Sequence, residues 1–441
     1  MSRKVVVTGL SCITPLGNSV KESWSNLLNS VSGLVPIASL PNYKTSYQPF
    51  QNSIPPQLHV GAIDINKSTD FTYLSKNLFS PQDNRRMTPL IKNSILSTHM
   101  ALQSANLLSN MNVDQTKNDL DRISITIGMG LPPVNEIVQE TLSFYNKGKK
   151  ISPMIIPQIL PSMIASAISI KYGIRGPTQV LSSACSTGNN AIIDGLNMIQ
   201  NDLVDIAIVG ASEASLHPLT LAGFNKLKSL SIDGVSRPFD TKRDGFIMSE
   251  GYGTIILEDY EHAMRRNANI WATVENFGIA SDALHMTMPR QDSQGVLKAM
   301  YSCLQRSNVK IHELDFINAH ATSTLVGDQA ELNGINKLLE LNKIDREHPL
   351  YITSNKGAMG HLLGAAGLVE SIFTILSLRE RVIPHTLNLV EPIPYSANDE
   401  IHNNNIQLVK DEPIHLPSLK YGLCNSFGFG GINTSILYSN I

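Results

Sequence analysis

Cysteine is scarce in this chain of 441 residues: Cys12, Cys185, Cys303 and Cys424 are the only four, each more than a hundred residues from the next. No Cys-x-x-Cys spacing exists, so zinc binding and dithiol redox chemistry have no support. A disulfide framework is not expected in so long and cysteine-poor a chain, which suggests a reducing compartment. Each thiol is then a small buried hydrophobe or a reactive group. Charge of one sign is also missing. A total of 35 Lys+Arg against 37 Asp+Glu leaves a net charge of −2, which argues against a general nucleic-acid binder and allows only a local basic patch. No apolar run approaches the ~20 residues of a membrane span. Met1-Ser2-Arg3-Lys4 passes at once into an apolar run with no secretory h-region. No long amphipathic transit peptide is visible, although the two early basic residues leave a short or internal organelle signal open.

What is present suits a large core: 42% of the residues are hydrophobic, and the length fits two or three domains or one duplicated domain. Short β-branched runs end in glycine or small polar residues, the clearest being Val5–Gly9, Ile123–Gly130, Val204–Gly210, Phe316–His320, Tyr351–Lys356 and Asn433–Tyr438. Between them Ala191–Asn201, Gly295–Ser307 and Gly364–Leu378 carry a helical period. This alternation predicts an α/β architecture with strands buried on both faces and sites at the strand ends. Gly33 to Asp83 is rich in Pro and Asn and reads as a surface excursion with short helices. Ser109 to Asp121 reads as a surface loop. A boundary is expected near Asp259–Asn269, dividing the chain into halves 1–262 and 263–441. No literal repeat is visible.

Four segments could carry chemistry. In Ser182-Ser183-Ala184-Cys185-Ser186-Thr187-Gly188 a β-like run reaches a thiol just before a helix. Unpaired N–H groups and the positive helix end there favour thiolate over thiol. A buried structural cysteine in a tight turn fits the same residues. His320 closes an apolar strand in Asn318-Ala319-His320-Ala321-Thr322-Ser323-Thr324, and Lys356 and His361 flank a glycine turn in Ser354–His361. These two differ from the other ten of the twelve histidines, which read as surface or core residues. The residues alone do not bring them to Cys185. Lastly, Phe427-Gly428-Phe429-Gly430-Gly431 makes a loop whose backbone can approach a ligand, or an ordinary turn.

Together these segments resemble the β-ketoacyl-acyl-carrier-protein synthases, elongating condensing enzymes with a thiolase-like fold. The resemblance runs nearly end to end, adding Thr14-Pro15-Leu16-Gly17, Gly210–Ala214, Ser236–Asp240 and Glu250-Gly251 in the same order. It implies two similar halves in a layered α-β-α-β-α core. It implies Cys185 as the nucleophile that accepts an acyl group, and His320 and His361 as the pair that promotes malonyl decarboxylation. Lys356 would support the pair, with Glu370 as its acid partner and Asp328 and Glu331 in support. Thr322 and Thr324 would hold the pantetheine arm beside Gly428 and Gly430. Phe429 would gate the site, its N–H joining that of Cys185 in an oxyanion hole. The family needs no metal or redox cofactor, since phosphopantetheine arrives on the acyl carrier protein. That acidic partner calls for basic residues at the pocket mouth, and Arg85, Arg86, Lys226 and Lys228 fall where the family carries them. A homodimer is also implied.

Three positions depart from the family pattern: Ala321 and Ser249 replace glycines, and Ser186 replaces a common alanine. All are small for small and predict local tuning. A thiolase would use a second cysteine in place of one histidine, a chain-length factor would lack the nucleophile, and a Cys–His protease would show a protease signature around Cys185. The composition and early insertion resemble the free-standing mitochondrial enzymes of yeasts, which implies a mitochondrial location, with a bacterial-type cytoplasmic enzyme as the alternative.

Overall fold

The computed structural model describes residues 3–65, 69–116, 118–148, 150–341, 346, 348–394 and 405–441. Met1, Ser2 and His402 lie outside the described residues, as do Lys117 in the expected surface loop and residues 66–68 in the early excursion. Among the described residues, eleven strands form one sheet. They are β1 (Val5–Ile13), β2 (Ile123–Met129), β3 (Thr178–Leu181), β4 (Ile206–Glu213), β5 (Gly251–Asp259), β6 (Ala272–Ser281), β7 (Phe316–Asn318), β8 (Leu350–Thr353), β9 (Ile406–Leu408), β10 (Tyr421–Gly428) and β11 (Ile432–Ser439). β1, β2, β4 and β5 are buried at every position. Their Val/Ile-rich runs therefore lack the polar alternation of a half-exposed strand.

The order β9-β8-β7-β10-β11-β6-β1-β5-β4-β2-β3 holds a duplication. From β1 outward the pairings run antiparallel to β5, antiparallel to β4, parallel to β2 and parallel to β3. From β6 outward they run antiparallel to β11, antiparallel to β10, parallel to β7 and parallel to β8. β9 adds one further parallel strand. β1 and β6 pair antiparallel at the junction, Val5 opposite Val274.

The helices used below are α1 (Pro89–Ser104), α2 (Met163–Tyr172), α3 (Thr187–Gln200), α4 (Pro218–Lys226), α5 (Gln294–Ser307), α6 (Leu325–Glu340), α7 (Lys356–Met359) and α8 (Ala366–Glu380). α1 packs on β1 and β5 and α2 on β2 and β3, while α5 packs on β6 and β11 with α6 against it. α3 and α8 touch each other between the two halves of the sheet. The result is the layered α-β-α-β-α core. Every residue of α8 from Ala366 to Leu378 is buried, as befits a helix apolar on all sides. Its internal carboxyl, Glu370, therefore needs a partner. No helix among the described residues is long and apolar enough to cross a membrane.

The early excursion departs from a plain surface segment. Ile37, Tyr47, Ile54, Leu58 and Val60 are buried in a small cluster with Phe246, Met248 and Leu363. Tyr47 Oη donates to Leu216 O at 3.0 Å. Its prolines and asparagines set the turns, but its few apolar residues point inward. The Ser109–Asp121 stretch likewise includes a two-stranded hairpin and buries Val113 and Leu120.

Candidate active site

β3 stops at Leu181 and α3 starts at Thr187, so the thiol occupies the turn between them. Ala184 takes a left-handed φ of 51°, a conformation that costs a non-glycine residue about 1–2 kcal/mol. The hydroxyl of Thr187 ties the turn, accepting from Ser183 N at 2.8 Å and donating to Ala184 O at 2.6 Å. Ser186, the departure beside the nucleophile, donates its hydroxyl to Ser183 O at 2.8 Å within the same turn. From the other half of the molecule, Ser426 Oγ donates to Cys185 O at 2.9 Å.

The thiol differs electrostatically from the expectation of a ready thiolate. Burial pushes Cys185 up to about 12, while the Lys356 charge and the Phe429 N–H pull it down. Desolvation opposes the helix start, because the thiolate would leave water for an apolar pocket. Burial thus favours the thiol, whose attack calls for a proton acceptor. His361 Nε2 lies 3.0 Å from its sulfur.

The two histidines meet. Their rings pack edge to face with centroids 5.3 Å apart, His320 against Phe427 and His361 against Phe246. Burial holds both imidazoles well below their ordinary range, and the nearby Lys356 charge lowers them further. Lys356 is itself fully buried and paired with Glu370. Burial raises the Glu370 carboxyl, and the ammonium beside it opposes that rise.

Acceptors behind the site fix its backbone. Glu331 receives His320 N at 3.0 Å, Ala321 N at 2.8 Å and Asn425 Nδ2 at 2.9 Å. Asp328 receives Phe239 N at 2.9 Å and Thr324 N at 3.2 Å. Thr322 and Thr324 share a hydroxyl contact of 3.1 Å. On the opposite wall the glycine loop presses on the nucleophile turn: a Cβ at Gly428 would lie 2.6 Å from Ser183 O. Gly430 has a left-handed φ of 86°. The Phe429 N–H points to the Cys185 sulfur.

A cavity of about 430 Å³ joins these groups, lined by Cys185, His320, His361, Thr322, Thr324 and Phe429 among others, a size that suits a small-molecule arm or chain. Leu325 and Met288, 60% and 55% exposed, mark its mouth, while Phe246 and Leu363 close its buried end. Lys228 lines the cavity; Lys226, at the end of α4, is exposed just before it. Arg85 and Arg86 are exposed in the last turn of the short helix Pro81–Arg86 and do not line it. Sequence reasoning missed Phe224, Phe246 and Ser426, because only packing brings them here. Ser426 alone had a signal, its place directly before the glycine loop.

The sites align with the duplication. Cys185 falls between β3 and α3, and His361 between their counterparts β8 and α8. Gly130 follows β2 as His320 follows β7. Ends of parallel strands from both halves thus supply one cavity, where sites of open α/β sheets form.

A layered thiolase-like core with a thiol, two imidazoles and a buried ammonium at one cavity defines the class of condensing acyltransferases. The Beta-ketoacyl synthase, N-terminal domain family matches residues 2–263, and the Beta-ketoacyl synthase, C-terminal domain family matches residues 271–390. The chain is 46% identical to a 3-oxoacyl-[acyl-carrier-protein] synthase homolog of Saccharomyces cerevisiae, over 99% of both chains. It is 35% identical to a putative mitochondrial 3-oxoacyl-[acyl-carrier-protein] synthase of Schizosaccharomyces pombe, again over 99% of both. Among solved structures, a type II polyketide ketosynthase in complex with its acyl-carrier protein matches with a TM-score of 0.82, at 25% identity and over 100% of both chains. The chain belongs to the β-ketoacyl synthase family.

Proposed function

We propose that this chain is a mitochondrial 3-oxoacyl-[acyl-carrier-protein] synthase that elongates fatty acyl chains by decarboxylative condensation, with Cys185, His320, His361 and Lys356 as its catalytic set. The observation that carries the reading is the 3.0 Å contact between Cys185 Sγ and His361 Nε2 beside a second neutral imidazole. In the first step Cys185 Sγ attacks the acyl carrier thioester. His361 takes the thiol proton and returns it to the departing pantetheine thiolate. Malonyl carrier protein then loses CO₂, and the electrons of the broken C–C bond form an enolate on the thioester oxygen. His320 donates a hydrogen bond to that oxygen, and His361 does so once its neutral ring has exchanged from the Nδ1–H to the Nε2–H tautomer. Each donor of this kind is worth roughly 2.7–4 kcal/mol in a water-poor site. The enolate carbon attacks the Cys185 thioester, with the N–H groups of Cys185 and Phe429 holding the oxyanion. Collapse releases 3-ketoacyl carrier protein, and the thiolate regains a proton from solvent.

Lys356 keeps the imidazoles neutral, and Glu370 balances Lys356 inside α8. Glu331 and Asp328 hold the backbone of His320 and of the Thr322–Thr324 pair, which grips the pantetheine arm beside Gly428 and Gly430. The reaction as written draws on no metal or redox group of this chain, since the phosphopantetheine belongs to the carrier. Lys226, Lys228, Arg85 and Arg86 receive that acidic partner. The halves are residues 1–262 and 263–441, each contributing one side of the cavity. A second copy completes a homodimer, and exposed Leu142, Phe144, Tyr145 and Ile156 offer apolar surface for it. Labelling with a cysteine-directed inhibitor of condensing enzymes, followed by mass spectrometry, tests the assignment. The adduct is expected on Cys185; adducts confined to Cys12, Cys303 or Cys424 would overturn it.

A further inference from the structure

Beneath the cavity, two backbone segments cross at van der Waals distance. A Cβ at Gly130 would lie 2.8 Å from Gly364 N, and one at Gly364 would lie 2.4 Å from Gly130 N. Only glycine fits at either place. The carboxyl of Glu213, at the end of β4 and 1% exposed, occupies the crossing: a Cβ at Gly130 would lie 2.5 Å from its Oε2. It accepts Gly364 N at 3.2 Å, the Leu131 N–H and the Ser215 hydroxyl. Two segments from different halves are thus joined through one acceptor.

Each segment carries one leucine into the cavity, Leu131 and Leu363. Both belong to the apolar cluster that includes Phe246 and the buried residues of the early excursion. This is the end opposite the exposed mouth, where an apolar chain on Cys185 must extend. His361 has an anchor of its own, because its N–H donates to Ile247 O at 2.7 Å. A disturbance at Gly364 therefore reaches Leu363 before it reaches the imidazole.

We infer that Glu213 is a positioning residue for acyl-chain selection: it clamps the Gly130/Gly364 crossing and so sets the spacing of Leu131 and Leu363 at the closed end of the cavity. The inference rests on the condensing reading above, with the acyl chain held on Cys185. In its ionised form the carboxyl only accepts, which suits the donors that converge on it. A carboxamide that keeps its oxygen on Gly364 N turns its NH2 toward Ser215, whose hydroxyl must then give up its present donation and accept instead. Burial raises the carboxyl to about 7, helped by nearby Glu250, so its retention at this depth comes from those donors and not from a charged partner.

The test compares full-length wild type, Glu213→Gln and Ser215→Ala. Acylation kinetics are measured with a series of short to long acyl carrier proteins, and malonyl carrier decarboxylation is measured on the same preparations. Glu213→Gln is expected to change the long-to-short ratio of kcat/KM by about fivefold, the scale of one lost hydrogen bond. Decarboxylation should change far less. Ser215→Ala, which removes one donor and leaves the carboxyl, should shift the ratio in the same direction by less, and it carries the test if Glu213→Gln fails to fold. Equal changes at every chain length, or an unshifted ratio in the folded variants, would overturn the inference. Absence of acylation in the wild type would instead sink the condensing reading.

Discussion

His361 Nε2 and Cys185 Sγ stand 3.0 Å apart although 176 residues separate them in the chain. The contact joins equivalent strand-to-helix turns of the two halves, one carrying the nucleophile and the other a base. Because burial lifts the thiol to about 12 and keeps the imidazole neutral, the pair is set for proton transfer at the moment of attack. A resting thiolate–imidazolium pair would require two charges in an apolar pocket.

Cys185→Gln protein should separate the two half-reactions. The carboxamide resembles an acyl thioester in shape but cannot accept an acyl group, so condensation is lost. Malonyl carrier decarboxylation, which needs only His320 and His361, should stay at the wild-type level or rise. Release of CO₂ from labelled malonyl carrier protein measures it. Loss of both activities counts against the division of labour.

Lys356→Met leaves the Glu370 carboxyl buried without its partner. Removing one member of a buried pair typically costs ~3–5 kcal/mol, readable as a lower urea midpoint. Pairing it with Glu370→Leu should recover much of that stability but not decarboxylation, since the charge that depresses both imidazoles is gone. Recovery of activity in the double variant would contradict the electrostatic role.

The histidines give a pH signature. Their folded values lie below 6.5, so decarboxylation by Cys185→Gln protein should hold its rate as pH falls through 6.5, and Lys356→Met should move the acid limb upward. The stability sign follows by linkage. Below about 6.5 the unfolded chain binds the extra protons, so this contribution falls with pH by at most ~1.4 kcal/mol per unit for each histidine. Glu250 works oppositely: raised from 4.5 to about 7 by burial, its contribution is present at low pH and lost as pH rises through that window. Urea midpoints of His320→Gln against wild type should differ in slope only on the acid side.

Gly428→Ala adds a Cβ 2.6 Å from Ser183 O, a backbone atom of the nucleophile turn. The loop must retreat, carrying the Phe429 N–H away from the sulfur. Loss of one oxyanion donor predicts a fall in kcat on the order of 10²–10³, with the far-UV spectrum unchanged. Wild-type kcat would remove Phe429 from the oxyanion hole.

Reversing Lys226 and Lys228 to Glu should raise KM for carrier-bound substrates and weaken its salt dependence, because rim charges act mainly on encounter. Arg85 and Arg86, away from the cavity lining, form a separate double reversal with the same expectation. An unchanged KM in either pair removes that pair from the carrier surface.

The sequence by itself determined the local chemistry. Small residues around Cys185 dictate a tight strand-to-helix turn, His320 follows an apolar strand, His361 follows a glycine turn, and three glycines after Phe427 make a close-approaching loop; each follows from short-range sterics and periodicity. Three matters needed the tertiary structure. The duplication appears in strand order and not as a sequence repeat, because pairing direction is fixed between segments far apart. The early excursion, polar in composition, backs the cavity with five buried side chains. The helix-start argument for a thiolate met an opposing desolvation, which depends on what surrounds the sulfur from both halves. Glu213 is the same case: its residue type is visible in the sequence, but its role arises only where Gly130 and Gly364 cross. Residue type and local turn are set by neighbours in the chain; dielectric, distance and partnership are set by packing between distant segments.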